Sequence, residues 1–77
     1  MKCTDYFKAI RTRPDRCWIL DAWIQATIDQ PDREHIQGDG RIRRWKMIHE
    51  ADGRVLRVKL LSDGETVHNA FFDRDES

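Results

Sequence analysis

Six side chains in this sequence are of the types that phosphate chemistry uses: His68, Arg57, Arg44, Lys46, Lys59 and His35. Metal-independent RNA cleavage needs a base for the 2′-hydroxyl proton, cations for the charge that builds on the phosphoryl group, and an acid for the leaving oxygen. Imidazole titrates near neutral pH, so His68 is the candidate acid or base. Arg57 and Arg44 would hold the scissile phosphate, because the guanidinium fork is planar and always charged. Lys46 and Lys59 would raise the positive potential beside it, and His35 would stand in for a carboxylate base. Trp18 and Tyr6 are the rings available to stack a base, although a tryptophan beside a helix more commonly packs into a core. The plain alternative is a solvated basic face of the kind many antiparallel sheets carry.

No cofactor is expected. Cys3 and Cys17 are fourteen residues apart, and with His35, His49 and His68 they make no zinc-ligand spacing. Free thiols are therefore expected, with Cys17 half-buried.

These side chains need elements to position them. Asp-Gly occurs at Asp39-Gly40, Asp52-Gly53 and Asp63-Gly64, and this dipeptide favours the tight turn of a β-hairpin. Three turns joining four strands describe an antiparallel meander over residues 33–37, 41–50, 55–61 and 66–72. Val55-Leu56-Arg57-Val58-Lys59-Leu60-Leu61 alternates as a half-buried strand should. Upstream, Thr4 caps a predicted helix over residues 5–12, with Tyr6, Phe7 and Ile10 on one side and Pro14 beyond its end. Asp21 caps a second, in which Trp23, Ile24, Thr27 and Ile28 recur at helical spacing before Pro31. Its start is open between Pro14 and Asp21. The predicted fold is α+β: two N-terminal helices packed on one face of a four-stranded antiparallel meander. One domain spans residues 1–77, with a helical part at 4–30, a sheet at 33–72 and a short acidic tail at 73–77.

If each Asp-Gly is a two-residue loop, the register follows by counting. Trp45 then faces Leu60, Lys46 faces Lys59, Met47 faces Val58, Lys59 also faces His68, and His35 faces Arg44. Trp45, Met47, Leu56, Val58, Leu60, Val67 and Phe71 would form the core under the helices. Arg44, Lys46, Arg57, Lys59, His68 and His35 would share the other face. Like charges directly opposite one another are unfavourable unless an anion lies between them, so this face reads as a phosphate site.

Composition sets the outer limits. Seventy-seven residues allow one small domain and no dinucleotide-binding fold or barrel. Three Trp, three Phe and one Tyr argue for a packed core. No apolar run is long enough to span a membrane, and the N-terminus lacks the apolar stretch of a secretory leader, so a cytoplasmic protein is expected. Fourteen basic and fourteen acidic residues cancel, which leaves no global field toward nucleic acid. They are nevertheless blocked: seven basic and two acidic residues fall in positions 41–59, against one and five in 60–77.

The stretch Asp39-Gly40-Arg41-Ile42-Arg43-Arg44-Trp45, then Leu56-Arg57-Val58, then Asp63-Gly64-Glu65-Thr66-Val67-His68-Asn69-Ala70-Phe71-Phe72-Asp73-Arg74, resembles a family of small bacterial proteins. The likeness includes Pro14-Asp15-Arg16 and Trp23-Ile24. The helix–helix–meander order is in turn similar to RelE- and BrnT-like toxins. That resemblance implies a ribonuclease of a toxin–antitoxin pair, with a small antitoxin as partner and RNA as substrate. It rests on topology, and no catalytic motif of those toxins carries over residue by residue. The competing expectation is a non-catalytic module that grips nucleic acid or an acidic partner with the same basic face. A third is an interaction protein that adds a strand at an open sheet edge. Oligomeric state is open.

Overall fold

A computed structural model describes residues 1–74. Its element order is α1 (Asp5–Ile10), α2 (Asp21–Asp29), β1 (Arg33–Ile36), β2 (Ile42–Ile48), a single 3-10 turn at His49–Ala51, β3 (Arg54–Leu60) and β4 (Val67–Phe72). The strands form one antiparallel sheet in the order β1-β2-β3-β4. Both helices lie on one side of it, α1 against β4 and α2 against β2 and β3. The α+β meander read from the sequence is the fold. Within the predicted tail, Asp75, Glu76 and Ser77 lie outside the described residues.

Local chemistry accounts for the helices. The Thr4 hydroxyl accepts from Phe7 N–H at 3.1 Å and caps α1. Phe7 and Ile10 are buried while Tyr6 is exposed, and the helix stops at Ile10, two residues short of the predicted end. Leu20 is the N-cap of α2, and Asp21 is its first residue, paired instead with Arg11. Residues 13–19 form turns and no early start of α2. The buried Ile19 anchors them, and Cys17 is exposed instead of half-buried. Both cysteines are free thiols. Ile24 and the fully buried Thr27 face the sheet, and the Thr27 hydroxyl donates to the Trp23 carbonyl at 2.8 Å.

The core holds Phe7, Ile19 and Ile24 against Ile42, Ile48, Leu56, Val58, Leu60, Val67 and Ala70. On β3 this is the expected set. On β2 it is the opposite one, and the loops explain why. Residues 49–53 make a five-residue connection in place of a two-residue turn. The 3-10 turn is followed by Asp52 at φ 58° and Gly53 at φ 73°, and Gly53 N–H donates back to the Ile48 carbonyl. Trp45 therefore pairs with Arg57 instead of Leu60, and Met47 with Val55 instead of Val58. An odd shift turns every β2 side chain to the other face.

Two more corrections follow the same rule. Between β1 and β2, Gln37 N–H bonds the Arg41 carbonyl across residues 38–40, and His35 pairs with Arg43 instead of Arg44. Between β3 and β4, Leu60 pairs with Val67 as counted, but a bulge then makes His68 an extra residue. Lys59 pairs with Asn69 and Arg57 with Phe71. Phe72 and Ala70 thereby turn to the helices, and Phe71 turns away from them.

No described helix is long and apolar enough to cross a membrane.

Candidate functional site

The face turned away from the helices carries two rows that cross the sheet. The first runs Arg33, Trp45, Arg57 and Phe71, one residue per strand. Cations and rings alternate along it. The Arg33 guanidinium carbon sits 4.3 Å from the Trp45 ring centre, and that of Arg57 sits 5.6 Å from Trp45 and 5.3 Å from Phe71. Arg16 reaches in from the turn after α1 and covers Phe71 at 5.1 Å. Such contacts are worth about 0.5–2 kcal/mol each, more when shielded from water. They explain why Trp45 is only 8% exposed on a face that no described element packs against. Its indole N–H donates to Asp73 Oδ2 at 3.3 Å, and Arg57 Nη1 donates to the same oxygen at 3.2 Å. Among the described residues the buried Nε of Arg57 finds no acceptor; it lies between two ring faces.

The second row runs His35, Arg43, Lys59 and Asn69. Here two cations stand directly opposite each other on neighbouring strands. Arg43 donates from Nε at 3.2 Å and Nη2 at 2.6 Å to the Gln37 amide oxygen, with that amide turned as its neighbours require. Among the described residues neither Arg43 nor Lys59 has an acidic partner. Burial, then the charges of Arg43, Arg57 and Arg41, push the Lys59 ammonium below its ordinary value of 10.5. Asn69 Oδ1 accepts from Arg16 Nη1 at 2.7 Å, so Arg16 joins the ends of both rows.

Of the residues picked out from the sequence, Arg57, Lys59 and His35 lie on this face. Arg44 and Lys46 do not. They lie on the helix side, where Arg44 Nη1 donates to the Ile28 carbonyl and Lys46 Nζ to the Gln30 carbonyl, both at 2.9 Å. These are end carbonyls of α2, whose negative dipole end favours cations. Arg44 also pairs with Glu34 at 2.6 Å, and Lys46 with Asp32 at 3.9 Å. The expected Lys46–Lys59 pair is replaced by Arg43–Lys59.

His68 is the bulged residue, and it packs toward α1. Its Nδ1 shares a 3.1 Å hydrogen bond with the Thr4 hydroxyl, and its ring stacks on Tyr6 at 4.9 Å. The structure does not bring it to Arg57. Sequence reasoning missed Arg43, Arg33, Arg16 and Trp45 as members of the outer face, because face membership depends on loop length and Asp-Gly does not specify it. Among the described residues no three His, Cys, Asp or Glu side chains group as a metal site requires.

No known protein-family model, curated protein or solved structure matches the chain.

Proposed function

We propose that the protein is a nucleic-acid-binding module that holds the phosphate backbone of RNA on its outer sheet face and does not cleave it. The observation that carries this reading is the Arg43–Lys59 cross-strand pair without an acidic partner among the described residues. Two like charges held opposite each other repel, and a phosphate between them turns that repulsion into two charge-assisted bonds. Arg41 and His35 extend the patch, both exposed. The rings of the first row are covered by guanidinium groups, so backbone contact and not stacking dominates there.

The toxin-like ribonuclease reading, with its antitoxin partner, requires His68 and Arg57 at one phosphate. His68 is engaged by Thr4 and Tyr6 instead, which weighs toward binding without chemistry. The proposed setting is the cytoplasm.

The test is fluorescence anisotropy of a labelled single-stranded RNA across a salt series, with the RNA then run on a denaturing gel. Wild type is expected to bind at low salt and leave the RNA intact. An Arg43→Gln, Lys59→Gln double variant should bind at least about tenfold more weakly, with its salt slope reduced by roughly 1.4 for two lost contacts to a single strand. An unchanged slope would sink the assignment. RNA cut by wild type but not by His68→Ala would replace it with the ribonuclease.

A further inference from the structure

At the β4 border of the sheet, the first row ends in a groove of about 530 Å³ lined by Arg16, Trp18, Arg54, Phe71, Asp15 and Asp73, among others. We propose that this groove holds one nucleotide of the bound RNA, with its base on Trp18 and its phosphate on Arg16 and Arg54. The inference deepens the nucleic-acid reading above and rests on it.

Trp18 is covered more loosely than Trp45. Phe72 backs the ring, and the only guanidinium over it among the described residues is that of the exposed Arg54, which moves onto the phosphate when a base takes its place. Trp45 is nearly buried, whereas Trp18 is 41% exposed and opens into the groove. It is also held in place. Its indole stacks on Phe72 at 5.0 Å with the rings within 11° of parallel, and meets Trp23 edge-on at 6.4 Å. The backbone around it is tied by Arg16 N–H and Cys17 N–H to the Arg13 carbonyl, both at 2.9 Å, and by Ile19 N–H to the Arg16 carbonyl at 3.1 Å. The next residue, Ile19, is locked in the core. A ring fixed before a ligand arrives loses little freedom on binding, and every nucleobase offers it a flat face.

The groove also has the charge a nucleotide needs. The Arg54 guanidinium carbon lies 5.8 Å from the Trp18 ring centre, and among the described residues Arg54 has no acidic partner. Arg16 is half-buried and fixed between Asn69 and Phe71. The carboxylates do not close the site to an anion: Asp73 is taken up by Trp45 and Arg57, and Asp15 sits 3.4 Å from Arg16 at the rim. Asp15 is an acceptor for a ribose hydroxyl or a base amine. Arg16 makes the groove continuous with the Arg43–Lys59 pair, because Asn69, which it bonds, lies opposite Lys59. A strand laid along the second row therefore arrives at Arg16, which lines the groove.

The test compares a short polyuridine RNA with the same chain lacking its bases. Wild type is expected to bind the uridine strand roughly tenfold more tightly, the size of a single base–aromatic stack. Trp18→Leu, which keeps an apolar cover on Phe72, should bind both strands at the base-free level. Equal binding of the two strands by wild type overturns the groove inference and leaves backbone binding standing. Binding of neither strand overturns both. If circular dichroism shows Trp18→Leu unfolded, the wild-type indole N–H resonance of Trp18 decides. It should shift with the uridine strand only, and an equal response to both strands refutes the stack.

Discussion

Arg43 and Arg44 are adjacent, carry the same side chain, and do opposite work. Arg44 reaches back to the last turn of α2 and pairs with Glu34, so its charge is spent inside the fold. Arg43 projects to the outer face against Lys59. Strand alternation alone separates them. Replacing Arg44 with Met should cost about 1 kcal/mol, the loss of a part-buried hydrogen bond to the Ile28 carbonyl and of the Glu34 pair, and should leave RNA affinity unchanged. Arg43→Met should show the reverse pattern in the same two measurements, urea unfolding and anisotropy. If Arg44→Met lost RNA affinity without losing stability, Arg44 would belong to the phosphate site after all. The sequence reading named the right kind of residue on β2 but the wrong parity. Arg57 and Lys59 were legible because the pattern on β3 is strict. Arg44 and Lys46 were misplaced because Arg41, Arg43, Arg44 and Lys46 put basic residues on both faces of β2, and hydropathy cannot choose between them.

At the level of elements, turns decide the register. All three Asp-Gly pairs sit at turns, with Gly40, Gly53 and Gly64 at positive φ. Only the third turn gave the counted pairing next to it, Leu60 with Val67. There Asp63 organises the turn: its carboxylate accepts from Glu65 N–H and Thr66 N–H at 2.9 Å and from the Thr66 hydroxyl at 2.5 Å. Those bonds, the hydroxyl first, hold the Asp63 carboxyl at about 2 against an ordinary 3.8. The folded value is the lower one, so the contribution is complete above about pH 4 and is lost as pH falls through about 2. Asp63→Asn should therefore melt below wild type at neutral pH, and the gap should close as pH falls across that window. A gap that stays constant down to the acid end would mean the carboxylate's charge is irrelevant to the turn. At the second turn the positive φ of Asp52 and Gly53 is what Asp-Gly favours, but the 3-10 segment before them was not legible. Its cause is tertiary: Ala51 is buried, drawing His49 and Glu50 out of the expected strand.

At the scale of the whole molecule, stability is unevenly spread. Leu56, Val58 and Leu60 on β3 are completely buried, whereas all four residues of β1 are exposed and that strand pairs only with β2. Native-state hydrogen exchange in low urea should show β1 amides opening with little denaturant dependence while β3 amides follow global unfolding. Uniform protection across the sheet would contradict this. Fold class was legible because helix caps, periodicity and turn dipeptides agree with one another. The proposed site was half legible: Trp18 stands out in the sequence as a ring that could stack a base, whereas Arg16 lies in a segment with no repeating pattern and Arg43 was hidden by the loop lengths. The two borders of the sheet are also unlike. At the start of β4, residues 2–4 run beside Val67, with Val67 N–H bonded to the Lys2 carbonyl and Thr4 N–H to the Val67 carbonyl, and Arg16 reaches the Ala70 carbonyl further along. Among the described residues the border along β1 has no such backbone escort, and Ile36 there is 61% exposed. Strand addition is thus easier along β1 than at the start of β4, and two copies joined β1 to β1 would close as a symmetric pair.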